Sequence, residues 1–131
     1  MRTIGLMAAL LLPNIGFADP SYALKIETPA AQKAKRAVVK LHVTPGAGFH
    51  MNQQFPTVVS VVGPAGVTVE HPKQNGKDAV KFDEHQADFD VAFVAADAGK
   101  KQFSGEFKFA VCSATSCDPK KEKLSFAVEV K

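Results

Sequence analysis

Hydrophobic and polar residues alternate with a period of two through most of the chain. In Ala37-Val38-Val39-Lys40-Leu41-His42-Val43, Val39, Leu41 and Val43 fall on one face and Val38, Lys40 and His42 on the other, and Thr44-Pro45-Gly46 ends the run. That is the pattern of a half-buried strand. Thr57 to Val62 is β-branched almost throughout, breaks at Gly63-Pro64-Ala65-Gly66 and resumes as Val67-Thr68-Val69, which predicts a hairpin. Phe89, Val91 and Phe93 alternate with Asp88, Asp90 and Ala92; beyond a turn at Asp97-Ala98-Gly99-Lys100, Phe107, Phe109 and Val111 alternate with Glu106, Lys108 and Ala110. Leu124, Phe126, Val128 and Val130 continue the pattern to the last residue, and Tyr22 to Glu27 predicts an earlier strand. Only Pro29 to Arg36, rich in alanine and lysine, favours a turn or two of helix. Seven or so short strands with turns between them predict an all-β, two-layer antiparallel sandwich. An antibody-type domain fits poorly, because that family sets widely spaced cysteines against a tryptophan and this chain has no tryptophan.

Composition then bounds the class. The 131 residues are 46% hydrophobic and 22% charged with a net charge of +3, which suits one globular domain and excludes disordered, collagenous and coiled-coil chains. Met1-Arg2-Thr3, the apolar run Ile4 to Leu12, Pro13-Asn14 and the small-residue pattern Gly16-Phe17-Ala18 read as a secretory signal peptide over residues 1–18, cut before Asp19. The apolar run is about half the length a membrane helix needs, and no other stretch approaches a span. Removal of 18 residues from 131 leaves 113, residues 19–131, as a single domain with net charge +2 once Arg2 is lost. Export to a periplasm or the outside is an oxidising destination where a disulfide persists. Basic residues cluster at Lys33-Lys35-Arg36 and Lys120-Lys121-Lys123 without interleaved aromatics, so no nucleic-acid partner is expected.

The two cysteines bracket a short polar loop, Cys112-Ser113-Ala114-Thr115-Ser116-Cys117. Cys112 continues the alternation of Glu106, Lys108 and Ala110, so its side chain is expected on the outer face, and Cys117 begins the return strand. Loop-closure entropy gives roughly 2 kcal/mol for a bond closing about six residues, against nearly 5 for a loop of about a hundred. As a staple the bond would sit where it contributes least. Exposure, and Lys120, Lys121 and Lys123 nearby, would favour thiolate formation, with Cys117 the more thiolate-prone of the two and Asp118 opposing. The residues themselves leave a working bond and a structural one both open.

Other chemistries find little. His42, His50, His71 and His85 show no metal-site spacing, and Met51 is the only methionine outside residues 1–18, which disfavours copper. Asp83, Glu84, Asp88 and Asp90 read as a solvated strand face, Gly63 to Gly66 as a turn without the residues of a phosphate cradle, and no serine sits in a nucleophile elbow. Neither metal nor cofactor is expected.

Gly76-Lys77-Asp78-Ala79-Val80-Lys81-Phe82, Phe89-Asp90-Val91, the run Phe107 to Cys112, and Cys117-Asp118-Pro119 resemble the N-terminal periplasmic domain of DsbD-type thiol:disulfide interchange proteins. Gly48-Phe49-His50-Met51-Asn52 with Phe55-Pro56 is similar to that family's segment before the second core strand. The resemblance covers most of residues 19–131. It implies an immunoglobulin-like sandwich whose redox pair, Cys112 and Cys117, takes electrons from a membrane thiol reductase. They pass to thioredoxin-like periplasmic partners, among them disulfide isomerases and cytochrome c maturation thioredoxins. It implies His50 and Asn52 beside the pair, and thiol:disulfide interchange (protein-disulfide reductase) activity; the domain is expected to be a monomer. Three differences stand out. The family has five residues between its cysteines and this chain four; its cap loop carries an aromatic residue where this chain has His71-Pro72-Lys73-Gln74-Asn75; and the sequence ends at Lys131, so the membrane reductase is expected as a separate protein. The other function expected of these residues is a non-catalytic binding or accessory module whose disulfide only pins a hairpin.

Overall fold

A computed structural model describes residues 19–131, and the expected signal peptide, residues 1–18, lies outside the described residues. Ten strands form two antiparallel sheets. In chain order they are β1 (Tyr22–Glu27), β2 (Arg36–Pro45), β3 (His50–Met51), β4 (Val58–Val62), β5 (Val67–Val69), β6 (Lys73–Asn75), β7 (Lys81–Asp83), β8 (Gln86–Ala95), β9 (Gly99–Cys112) and β10 (Cys117–Val130). One sheet runs β1-β2-β8-β5 with β7 also on β8; the other runs β10-β9-β4-β6 with β3 also on β9. The protein is an immunoglobulin-like two-sheet antiparallel β-sandwich.

The alternating residues fill the space between the sheets. Val39, Leu41, Val43, Phe89, Val91 and Phe93 from one sheet meet Phe107, Phe109, Val111, Leu124, Phe126 and Val128 from the other, all buried. Aromatic rings join the layers edge to face: Phe89 with Phe107 at 5.4 Å and Phe93 with Phe103 at 5.0 Å. Such pairs contribute about 1 kcal/mol each beyond the area they bury. The longest pairing is the β9–β10 hairpin, two strands of 14 residues whose register runs from Gly99↔Val130 to Cys112↔Cys117. Midway along β9, Gly105 lets β4 approach, because a Cβ at that position would collide with the Ser60 carbonyl oxygen.

Two expectations are corrected. Val58–Val62 and Val67–Val69 are not a hairpin, since β4 pairs with β9 and β6 while β5 crosses to the other sheet and pairs with β8. The Gly63–Gly66 turn is therefore a crossover: Val67 N–H donates to the Pro64 carbonyl at 3.1 Å, and Gly66 takes a φ of +82° that a side chain would strain. Pro29 to Arg36 holds no helix. Its backbone groups bond to other strands instead, Lys33 N–H to the Lys131 carbonyl at 2.9 Å and Ala34 N–H to the Ala95 carbonyl at 2.7 Å. Among the described residues the one helical element is a 3₁₀ turn, Gly76–Asp78.

Candidate functional site

Cys112 and Cys117 form a disulfide with a Cα separation of 3.9 Å, at the mouth of the β9–β10 hairpin. The loop between them is closed by its own residues. Ser113 N–H donates to the Ser116 carbonyl at 2.7 Å, while Ser113 Oγ accepts from the backbone N–H groups of Thr115 (3.3 Å) and Ser116 (3.2 Å). A serine hydroxyl taking backbone donors in this way supplies the turn chemistry that a glycine would otherwise provide.

The two sulfurs occupy unequal positions. Cys112 does point to the outer face, as its alternation with core residues Phe109 and Val111 requires, yet it is only 4% exposed. The cause is β3. His50 and Met51 pair with Cys112 and Val111, so β9 is hydrogen-bonded on both sides at this end. Cys117 belongs to the outermost strand and is exposed.

His50 is the register partner of Cys112, with both side chains on the same sheet face and Cβ atoms about 5 Å apart by strand geometry. Asn52 lies two positions further along β9, opposite Ala110. Its N–H donates to the Ala110 carbonyl at 2.9 Å, and its Oδ1 accepts from Gln54 N–H at 3.0 Å, forming an Asx turn. This stretch is tied to the opposite sheet as well, since Met51 N–H donates to the Glu84 carbonyl at 2.9 Å and Gln53 Nε2 to the Phe82 carbonyl at 3.1 Å. The structure thus brings His50 directly beside the pair and holds Asn52 nearby, in a loop fixed by bonds to two sheets.

The expected role of the lysines is corrected. Lys120 turns to the inner face, where its ammonium bridges Asp118 at 2.6 Å and Asp19 at 3.1 Å and sits 5.8 Å from the centre of the Tyr22 ring. Those carboxylates hold its pKa above the usual value, Asp118 first. Lys121 pairs with Glu106 at 3.3 Å and lies four residues, about 13 Å, down the strand from Cys117. Lys120 and Lys121 are thus engaged by carboxylates and not by Cys117. The inner-face cluster instead anchors the start of the described chain. Hydrogen bonds from Ser21, with help from Lys120, pull the Asp19 carboxyl down to about 2, and burial beside Asp19 raises Glu122, which accepts from the Tyr22 hydroxyl.

On the outer face of the other sheet a groove of about 270 Å³ is lined by Lys25, Glu27, Lys40, His42, Val80 and Asp88, among others. His42 Nδ1 pairs with Asp88, and its Nε2 lies 3.0 Å from Thr44 Oγ1. Hydroxyl, imidazole and carboxylate stand in the order of a nucleophilic triad, an arrangement that scattered sequence positions did not signal. The sheet setting argues against chemistry there, because β2 is paired by β1 and β8 on both sides up to Val43 and its backbone donors are engaged. A triad needs free N–H groups aimed at a developing oxyanion. Among the described residues no group of three or more His, Cys, Asp or Glu side chains could hold a metal ion, and no helix is long and apolar enough to cross a membrane.

No family model and no curated protein matches the chain. Solved structures similar to it include domains 4 and 5 of the S-layer protein SbsC, at 13% identity and a TM-score of 0.43 over 83% of this chain. Only half of that structure's length is spanned, at 50%. AggA, the major subunit of aggregative adherence fimbriae type I from Escherichia coli, aligns at 9% identity and a TM-score of 0.40 over 84% of this chain and 95% of its own. The ASH/PapD-like domain of human CEP192 (PapD-like domain 7) aligns at 12% identity and a TM-score of 0.40 over 100% of this chain and 95% of its own. Likeness at this level carries no statement about activity. The sandwich stands on its own strand register, and the DsbD-type resemblance rests on the sequence motifs.

Proposed function

We propose that this protein is an exported thiol:disulfide exchange domain that passes reducing equivalents to thioredoxin-like partners through Cys112 and Cys117. The observation that carries the proposal is the asymmetry of the pair: an exposed Cys117 on an edge strand, bonded to a buried Cys112, across a loop that its own hydrogen bonds already close. In-line attack by a partner thiolate is then directed to Cys117. The partner sulfur bonds to Cys117, the disulfide breaks, and the electron pair leaves on Cys112 as a thiolate. That thiolate takes its proton from solvent, with His50 its cross-strand neighbour on the same face. A second partner thiolate then attacks the partner's own sulfur in the mixed disulfide and releases Cys117. The partner leaves oxidised, and the pair gains two electrons and two protons. The reverse sequence, begun by the Cys117 thiolate, reduces an acceptor. The DsbD-type resemblance supports a periplasmic setting and a membrane thiol reductase as the donor.

The second reading, an immunoglobulin-like binding or accessory module with a structural disulfide, draws on the burial of Cys112, since buried sulfurs are usually inert. Equilibration of the protein in defined thiol buffers, followed by alkylation and mass spectrometry, separates the two. A reduction potential above roughly −250 mV is expected for exchange. A value below about −300 mV is that of a structural bond and refutes it.

A further inference from the structure

From Cys117 to Glu129 the backbone of β10 pairs with β9 alone among the described residues. The Ser113 N–H to Ser116 carbonyl bond sets the phase of that ladder. Hydrogen-bonded and non-hydrogen-bonded pairs alternate from it, so Cys117, Pro119, Lys121, Lys123, Ser125 and Ala127 direct their backbone groups away from β9. Pro119 fits this phase, because its missing N–H falls on the open side and leaves the ladder intact. At the other end the chain near Ala31 covers the edge, with Lys131 N–H donating to the Ala31 carbonyl at 2.9 Å. Among the described residues an open edge remains from Lys121 to Ala127.

Charge on that edge is unbalanced. Lys121 stands directly opposite Lys108, an arrangement that destabilises a sheet by itself. The single carboxylate of Glu106 holds both, at 3.3 Å each. Lys123, also on the outer face, has no ion-pair partner among the described residues. Lysines on an edge strand oppose pairing with a second copy of the same edge. The same lysines complement an acidic strand.

We propose that the open edge of β10 between Lys121 and Ala127 is a strand-addition site for an extended acidic segment of a partner protein. The partner's backbone would continue the sheet, and its alternate Asp or Glu side chains would lie against Lys121 and Lys123. The site does not depend on the fate of the disulfide.

The test is fluorescence polarisation with a labelled peptide of alternating glutamate and valine, against a lysine–valine control, combined with amide hydrogen exchange. The acidic peptide is expected to bind at least about tenfold more tightly than the basic one and to weaken as salt rises. The N–H groups of Lys121, Lys123 and Ser125 should gain protection on binding. Lys123→Pro removes one outward N–H without touching the β9 ladder, and should weaken binding about tenfold or more while melting within a few degrees of the wild type. Lys121→Glu combined with Lys123→Glu should reverse the preference between peptides, and it remains informative if the proline variant fails to fold. No binding of the acidic peptide, binding indifferent to both variants, or protection confined to β1 would overturn the proposal.

Discussion

Reduction of the Cys112–Cys117 bond without any mutation is a clean perturbation, because every non-hydrogen atom is the same in both states. Closing a loop of about six residues removes roughly 7 cal/mol/K from the unfolded chain, or about 2 kcal/mol at 25 °C. On the folded side little should change. The hairpin is held by 14 residues of each strand in continuous register, the loop keeps its Ser113–Ser116 bonds, and β3 still flanks Cys112. The oxidised protein should therefore be more stable than the reduced protein by about 2 kcal/mol. The same cycle requires the folded pair to lie about 50 mV below the same cysteines in the unfolded chain, at 30 mV per 1.4 kcal/mol. Urea unfolding with and without reductant, followed by tyrosine fluorescence and far-UV dichroism, measures both sides. Unchanged midpoint slopes with a gap near 2 kcal/mol are the expected result. A gap above about 4 kcal/mol, or a reduced protein that no longer unfolds cooperatively, would show that the bond holds the fold together and would refute the reasoning.

Three further outcomes follow from the packing. Gly105→Ala drives a Cβ into the Ser60 carbonyl oxygen, so it should force β4 off β9 and cost about 1–3 kcal/mol in denaturant unfolding, whereas Gly99→Ala meets no atom and is strained only by its φ of +123°. Phe107→Ala removes a ring buried between Phe89 and Phe109 and should cost about 3–5 kcal/mol by the same measurement. Glu122 and Asp19 should give pH dependences of opposite sign. Burial raises the Glu122 carboxyl above its ordinary 4.5, so the folded state binds more protons than the unfolded state in that window, and stability falls as pH rises through it. Thermal melts of Glu122→Gln should lack that fall. The Asp19 carboxyl, pulled down to about 2 from 3.8, contributes stability above pH 4 that disappears as pH drops toward 2, and Asp19→Asn should remove that loss.

Strands that bury one face were legible in the chain. Val39, Leu41 and Val43, Phe89, Val91 and Phe93, and the four alternating residues from Leu124 to Val130 all lie in the core, because a period of two is written by burial itself. Short strands were not legible. His50–Met51, Lys73–Asn75 and Lys81–Asp83 are too brief to show a period, and their partners lie elsewhere in the chain. The crossover at Gly63–Gly66 carries the same turn residues as a hairpin, so local chemistry could not say that β4 and β5 belong to different sheets. At the candidate site, alternation placed Cys112 on the outer face correctly. Its strand partner is His50, 62 positions earlier, and no local pattern reports that pairing. The lysines after Cys117 misled because alternate strand residues face opposite ways: Lys120 joins Asp19 and Asp118 on the inner face, and Lys121 joins Glu106 on the outer.

The central claim is that exchange begins at Cys117 and that Cys112 is the buried partner sulfur. Trapping with single cysteine variants in the export host tests it most directly. Cys112→Ser leaves the exposed thiol and should accumulate mixed disulfides with thioredoxin-like proteins, visible as reductant-sensitive adducts by mass spectrometry. Cys117→Ser leaves the buried thiol and should give few or none. Adducts on neither variant, or chiefly on the one that retains Cys112, would contradict the account.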